Sequence, residues 1–304
     1  MGCPSGERQA GHDAVVNDRP VRSPAVAGSF YPAEPNVLRD WVAGALARAA
    51  ERVPGSEPAS RPGAIVAPHA AYVYSGNVAA TAYATLSGGV PLERVVLLGP
   101  AHMVPVATLA ASSAAAFATP LGPAVIDTVL RDALVAAGLV AIDDRAHRPE
   151  HSLEVQLPFV QVLLGDVPVV PLLVGPDASS SVVRVLEYLW DDPATLLVVS
   201  TDLSHYHDYR TAVQLDEATA SAVIGRRADL LGPRSACGVS ALRGLVAFAA
   251  GRDLAARLLD LRNSGDTTGP RDRVVGYGAF AFGRGSSVLD AFGEPAHPDL
   301  PPVG

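Results

Sequence analysis

With 304 residues, 49% of them hydrophobic and 18% charged, the chain can bury a large core, which excludes a disordered protein. A formal net charge of −8 argues against a nucleic-acid binder, which needs a basic face, and no apolar run reaches the roughly 20 residues of a membrane span. All 23 basic residues are arginine, so lysine Schiff-base and P-loop chemistry are excluded.

Residues 1–20 read as a flexible leader without the apolar core of a signal peptide. Val37, Leu38, Trp41, Val42, Ala45 and Leu46 recur at helical spacing and predict a helix over 36–52, before a Pro/Gly/Ser-rich link at 54–62. A short apolar run, Ala64 to Ala67, reads as a strand ending in Pro68-His69, and a helix is expected over 77–86. A second such strand, from Val95, ends in Gly99-Pro100-Ala101-His102. Val104 to Ala111 reads as a further strand and 123–137 as a helix with proline near its first turn. A helix is expected to begin near Pro149 and run over 152–164, interrupted at Pro158. Two prolines in 167–174 predict an edge or irregular strand there. A serine-capped helix over 180–190 leads to a third strand, Leu196 to Val199, which ends in Ser200-Thr201-Asp202-Leu203-Ser204-His205. Helices at 209–224, 238–250 and 254–261, a closing strand at 274–282 and a tail over 285–304 complete the chain. The alternation of strands and helices, without repeats, predicts one α/β domain over 21–284.

Short, continuous apolar runs are typical of strands buried on both faces of a parallel sheet. Such strands end along one edge, where α/β proteins build their sites, so His69, His102 and His205 are expected to meet in one crevice. Any one of them alone is more often structural; three at equivalent positions point to a metal or acid–base site. Cys237 directly precedes an apolar helix, where unpaired backbone N–H groups favour a thiolate; the plainer alternative is a small buried apolar residue. Asp202 and His205, three apart in a strand-to-helix turn, can face one pocket as ligand and base or as base and orienter. His207 is expected at the surface.

His147-Arg148-Pro149-Glu150-His151 matches the inverted zinc-peptidase pattern, which works only on a continuous helix. Pro149 disfavours that helix and is expected to leave His147 outside it, while Glu150, His151 and Glu154 share a face. His151 and Glu154 then line the crevice. The polar loop Asn263 to Gly269 reads as an ordinary loop.

In this order, residues 22–32 (Arg-Ser-Pro-Ala-Val-Ala-Gly-Ser-Phe-Tyr-Pro), 67–76, Leu98 to His102, Thr119 to Gly122, Glu150 to Phe159, Ser200 to Tyr206, Ala236-Cys237-Gly238 and Val275-Gly276-Tyr277 resemble the MEMO family, over roughly residues 22–282. The resemblance implies a fold like the class III extradiol dioxygenases, an α/β domain with a central mixed, largely parallel sheet flanked by helices. It implies a metal site of His69, His102 and Cys237, holding Fe(II) or alternatively copper, with Asp202 and His205 beside it and His205 in an acid–base role. His151, Glu154 and Tyr74 are expected around a small, aromatic or chelating substrate, with O2 as a partner, in a cytoplasmic oxidoreductase. The alternative is a metal-handling or peptide-binding protein without turnover. One departure stands out: Ala71 occupies a position where the family usually has glycine, and a positive φ there would strain the turn.

Overall fold

The computed structural model describes residues 20–52, 61–86 and 91–284. Apart from Pro20, the expected leader and tail lie outside these residues, as does Cys3. The chain enters through a two-residue strand, β1 (Val21–Arg22), and helix α1 (Pro35–Ala50). Glu34 caps α1 by accepting from Val37 N at 2.8 Å, and Leu38, Val42, Ala45, Leu46 and Ala49 form its buried stripe. Strand β2 (Ala64–Ala67) is followed by α2 (Tyr72–Ala84), which starts five residues earlier than expected. Gly76 lets α1 pack on α2, because a Cβ there would strike the Trp41 ring.

Next come β3 (Arg94–Pro100), β4 (Leu109–Ala111), β5 (Ala116–Thr119) and β6 (Gly122–Val125). The helix expected over 123–137 is therefore split into β6 and α3 (Thr128–Ala136), with Asp127 capping α3. Pairing of β5 with both β6 and β1 draws the first half of that segment into a small second sheet. β7 (Ala141–Ile142), α4 (Asp144–His147), α5 (Leu157–Leu164), β8 (Val169–Val174), α6 (Ser179–Leu189) and β9 (Thr195–Ser200) follow. The chain then forms β10 (His205–His207), α7 (Tyr209–Ile224), α8 (Val239–Gly251), β11 (Ala255–Asn263) and β12 (Val274–Gly283).

The main sheet has the order β10–β12–β2–β9–β3–β8–β4–β7, with β11 also on β12. β2, β9, β3 and β8 run parallel; β12 and β4 join this block antiparallel. Two expectations change here. The segment expected as a helix over 254–261 is β11, paired with β12 from Ala255↔Gly283 to Asn263↔Gly276, so long-range pairing overrides local leucine spacing. β8 is interior rather than an edge; β4 pairs only as far as Leu172, so Pro171 lies just past its last partner.

Alternate residues of the central strands enter two cores, Ile65, Leu97 and Val198 on one face and Val66, Leu98 and Val199 on the other. That explains their unbroken apolar sequence. The register also levels the strand ends: Ala67 lies opposite Ser200, and Leu98 opposite Val199. The segments carrying His69, His102 and Asp202 therefore leave the sheet along one edge.

Candidate metal centre

Three imidazoles converge at this edge. The ligand-capable atoms of His69, His102 and His151 all lie within 4.8 Å of one another. His69 and His102 follow β2 and β3, whereas His151 arrives on the turn between α4 and α5. His205 does not join this trio; it begins β10, opposite Val275 of β12.

Each imidazole is held at Nδ1 by an oxygen. Ser200 Oγ contacts His69 Nδ1 at 3.0 Å, donates to Ser152 O at 2.6 Å and accepts from Gln156 Nε2 at 2.9 Å. Its only proton is thus committed to Ser152, so it accepts from His69 Nδ1–H. Glu150 Oε1 lies 3.0 Å from His102 Nδ1 and 3.2 Å from His151 Nδ1. Leu203 O accepts from His205 Nδ1–H at 2.8 Å. With Nδ1 occupied in every ring, Nε2 is the nitrogen left for a ligand, the arrangement that orients metal-binding histidines.

Glu150 organises the turn as well as the rings. Its carboxylate accepts from the backbone N–H groups of His102 (2.5 Å), His151 and Ser152 (both 2.9 Å). Burial alone would raise its pKa, but the hydrogen bonds from His102 and Ser152 and the His102 charge hold it well below the usual carboxylate range. Burial, reinforced by the charges of His102 and His151, pushes His69 well below its ordinary value, so a neutral ring is available as a ligand.

Cys237 meets His69 at the nitrogen left for a ligand, with Sγ 3.3 Å from His69 Nε2. The expected thiolate is not supported by its surroundings. Burial, followed by the Asp202 carboxylate, pushes the thiol up to about 12, outweighing the N-terminus of α8. A cation at His69 Nε2 would offset that cost, because thiolate is the ligating form.

Asp202 does not orient His205 by a direct hydrogen bond. Its Oδ1 accepts from His69 N at 2.7 Å and Ala70 N at 3.3 Å, clamping the β2 turn. Burial raises its pKa against these bonds and the charge of His205. Glu154 likewise serves structure, accepting from Arg22 Nη1 (2.6 Å), Ala25 N (2.7 Å), Val26 N (3.0 Å) and Tyr31 OH (2.6 Å). It fastens the entry segment, whose Phe30 ring packs 4.8 Å from His151. Tyr74 sits half-exposed on the first turn of α2. Ala71 has φ −56°, so alanine fits the turn without strain.

The zinc-peptidase pattern dissolves, though not as expected. His147 lies inside the short helix α4, is buried, and places Nε2 2.9 Å from Ala110 O. Glu150, His151 and Glu154 do not share a helical face, because α4 stops before Pro149 and a 3₁₀ turn starts only at Glu154. His207 is half-buried rather than exposed. Gln156 and Ser200 had no signal of their own in the sequence, since ordinary polar residues acquire this role only by facing a histidine.

A family model described as Memo-like protein matches residues 22–281. The chain is 37% identical over 290 residues to a MEMO1 family protein, MK0963, of Methanopyrus kandleri, covering 87% of this chain and 99% of that protein. MEMO1 family proteins of Aquifex aeolicus (34% over 277 residues) and Sulfolobus acidocaldarius (33% over 284 residues) each align over 86% of this chain and 99% of their own length. Among solved structures, the uncharacterized protein JW3007 of Escherichia coli K12 aligns over 72% of this chain and 99% of its own with a TM-score of 0.45 at 14% identity, too loose a likeness to bear on function.

Proposed function

The chain belongs to the Memo-like family, and from that premise we propose that it holds one metal ion at the sheet edge, with His69 and His102 as ligands. The observation that carries this reading is the convergence of three imidazoles, each fixed at Nδ1, around a common point. His151 and Cys237 flank His69 as the further donors. The donor set fits: preoriented neutral imidazoles, with a thiolate where Cys237 joins them, suit Fe(II) and copper better than they suit hard, oxygen-seeking cations.

When bound, iron or copper would supply a path for electrons from a small aromatic or chelating substrate to O2. The chain's own residues do the rest. His205 offers an Nε2 lone pair, because Leu203 O holds the proton at Nδ1, and so takes a proton at Nε2. Asp202 keeps the His69 backbone in place, and Phe30, packed on the His151 ring, gives the substrate apolar surface. The buried thiol beside His69 favours a second reading, in which four donors saturate the metal and the protein carries it without turnover.

Anaerobic purification followed by metal analysis tests the centre. His69→Ala and His102→Ala are expected to lose the metal; retention of full metal content by both would overturn the proposal. His151→Ala and Cys237→Ala then decide which donor completes the set. Oxygen consumption with catechols and other chelating aromatics separates the two readings, since saturation predicts none.

A further inference from the structure

We propose that Asp216 is a positioning residue for His205 and acts on it through one peptide group, the Leu203–Ser204 bond. The inference rests on the reading of His205 as a proton acceptor. The carbonyl of that peptide, Leu203 O, accepts from His205 Nδ1–H at 2.8 Å. The N–H of the same peptide, on Ser204, donates to Asp216 Oδ1 at 2.9 Å. A peptide is planar and its two polar groups belong to one conjugated unit, so carboxylate and imidazole are joined at opposite ends of a rigid dipole. β12 pins this unit: Leu203 N donates to Gly276 O and Gly276 N to Ser204 O, both at 2.8 Å.

Structure alone gives a poor reason for a carboxylate here. Asp216 is 2% exposed on α7; its second oxygen, Oδ2, makes no hydrogen bond among the described residues, and neither does the buried Ser204 Oγ, whose hydroxyl an asparagine oxygen could serve as well as a carboxylate. Oδ2 lies against Gly276, where a Cβ would collide with it. Asparagine would accept the same Ser204 N–H without burying a charge. What asparagine lacks is the charge itself. A negative charge on the N–H end polarises the peptide, so Leu203 O draws harder on Nδ1–H and the Nε2 lone pair becomes more basic. Burial pushes the Asp216 carboxyl up to about 6, which leaves it ionised at neutral pH. Asp202 and His69 also act on His205 through space, and the Tyr206 ring lies 5.6 Å from its own. Asp216 differs from these in reaching His205 through bonded dipoles. The relay has the form of a carboxylate–imidazole pair with a peptide inserted, and it supplies the orienter that Asp202 does not.

The test is nitrogen NMR of the full chain labelled at histidine, with zinc as a diamagnetic probe, comparing the parent with Asp216→Asn and Asp216→Leu. Asp216→Asn keeps the acceptor and loses the charge. It should retain the Nδ1–H tautomer and a thermal midpoint at neutral pH no lower than the parent's, while the His205 titration midpoint falls by roughly 0.5–1 pH unit. Asp216→Leu should mix the two tautomers; if it fails to fold, the asparagine variant carries the test alone. His205 shifts and midpoint identical in parent and Asp216→Asn overturn the relay, because a merely structural carboxylate would give that result. If the parent binds no zinc yet shows the Asp216-dependent shift, the relay stands and only the metal-centre reading fails.

Discussion

Glu150 shows how one buried side chain can decide a site. Its two oxygens serve the backbone N–H groups of three residues and the rings of His102 and His151, with no arginine or other fixed cation as partner in these bonds. It therefore sets the spacing between two imidazoles as well as their tautomers. Glu150→Gln sets an amide N–H₂ against at least one N–H donor, because Oε2 faces His102 N while Oε1 faces His151 N, Ser152 N and the His102 ring. We expect metal affinity to fall by about 10–100-fold, the usual effect of losing a residue that orients ligands. A cobalt(II) titration followed in the visible spectrum reads this directly; unchanged affinity would show that Glu150 only shapes the turn. The sequence displayed Glu150 inside a zinc-peptidase pattern, so its position was visible while its role was not. That role depends on His102, 48 residues away, which no local pattern connects to it.

At the scale of elements, Arg22 reinforces the ties by which Glu154 and Phe30 hold the entry segment against the site. Arg22 Nε donates to His147 O at 2.7 Å, Nη1 to Glu154 at 2.6 Å and Nη2 to Glu150 O at 2.5 Å. The ion pair is fully enclosed, with side-chain exposures of 6% and 0%. Breaking it leaves a buried carboxylate without its cation, so Arg22→Ala should lose about 3–5 kcal/mol, read from the denaturant midpoint. Because Arg22 also holds the backbone beside His151, the variant should bind metal more weakly even under conditions where it stays folded. Equal affinity in folded Arg22→Ala would separate Arg22 from the site. Elements with strong local signals, such as α1, α7 and β12, follow their periodicity closely. β6 and β11 depart from it because their identity comes from pairing with other strands, which local spacing does not encode.

For the whole molecule, two buried groups oppose each other as pH falls. Burial lowers His147 from 6.5 to about 4. Its contribution to stability is complete above the unfolded value near 6.5 and is lost on acidification toward 4. A shift of that size amounts to about 3 kcal/mol. Asp216 runs the other way: its raised carboxyl costs stability above about 6, and the cost disappears as pH falls toward 4. The total is therefore flatter than either part. Urea unfolding from pH 7 to 4 should show the parent losing about 3 kcal/mol relative to His147→Gln and gaining a comparable amount relative to Asp216→Asn. Parallel curves for parent and His147→Gln would show that His147 titrates normally in the folded chain. Among the described residues no helix is long and apolar enough to cross a membrane, in keeping with the absence of a long apolar run.

By itself the sequence determined the α/β class, the strands buried on both faces, and the shared edge where His69 and His102 emerge, because these follow from short-range apolar patterning and strand direction. Only the tertiary structure decided that His151 rather than His205 completes the imidazole cluster, and that Glu154 fastens the entry segment. It also decided that the path from a carboxylate to His205 starts at Asp216. Those assignments rest on hydrogen bonds between segments far apart in the chain. Their partners are fixed by strand register and helix packing, which no local stretch of sequence contains.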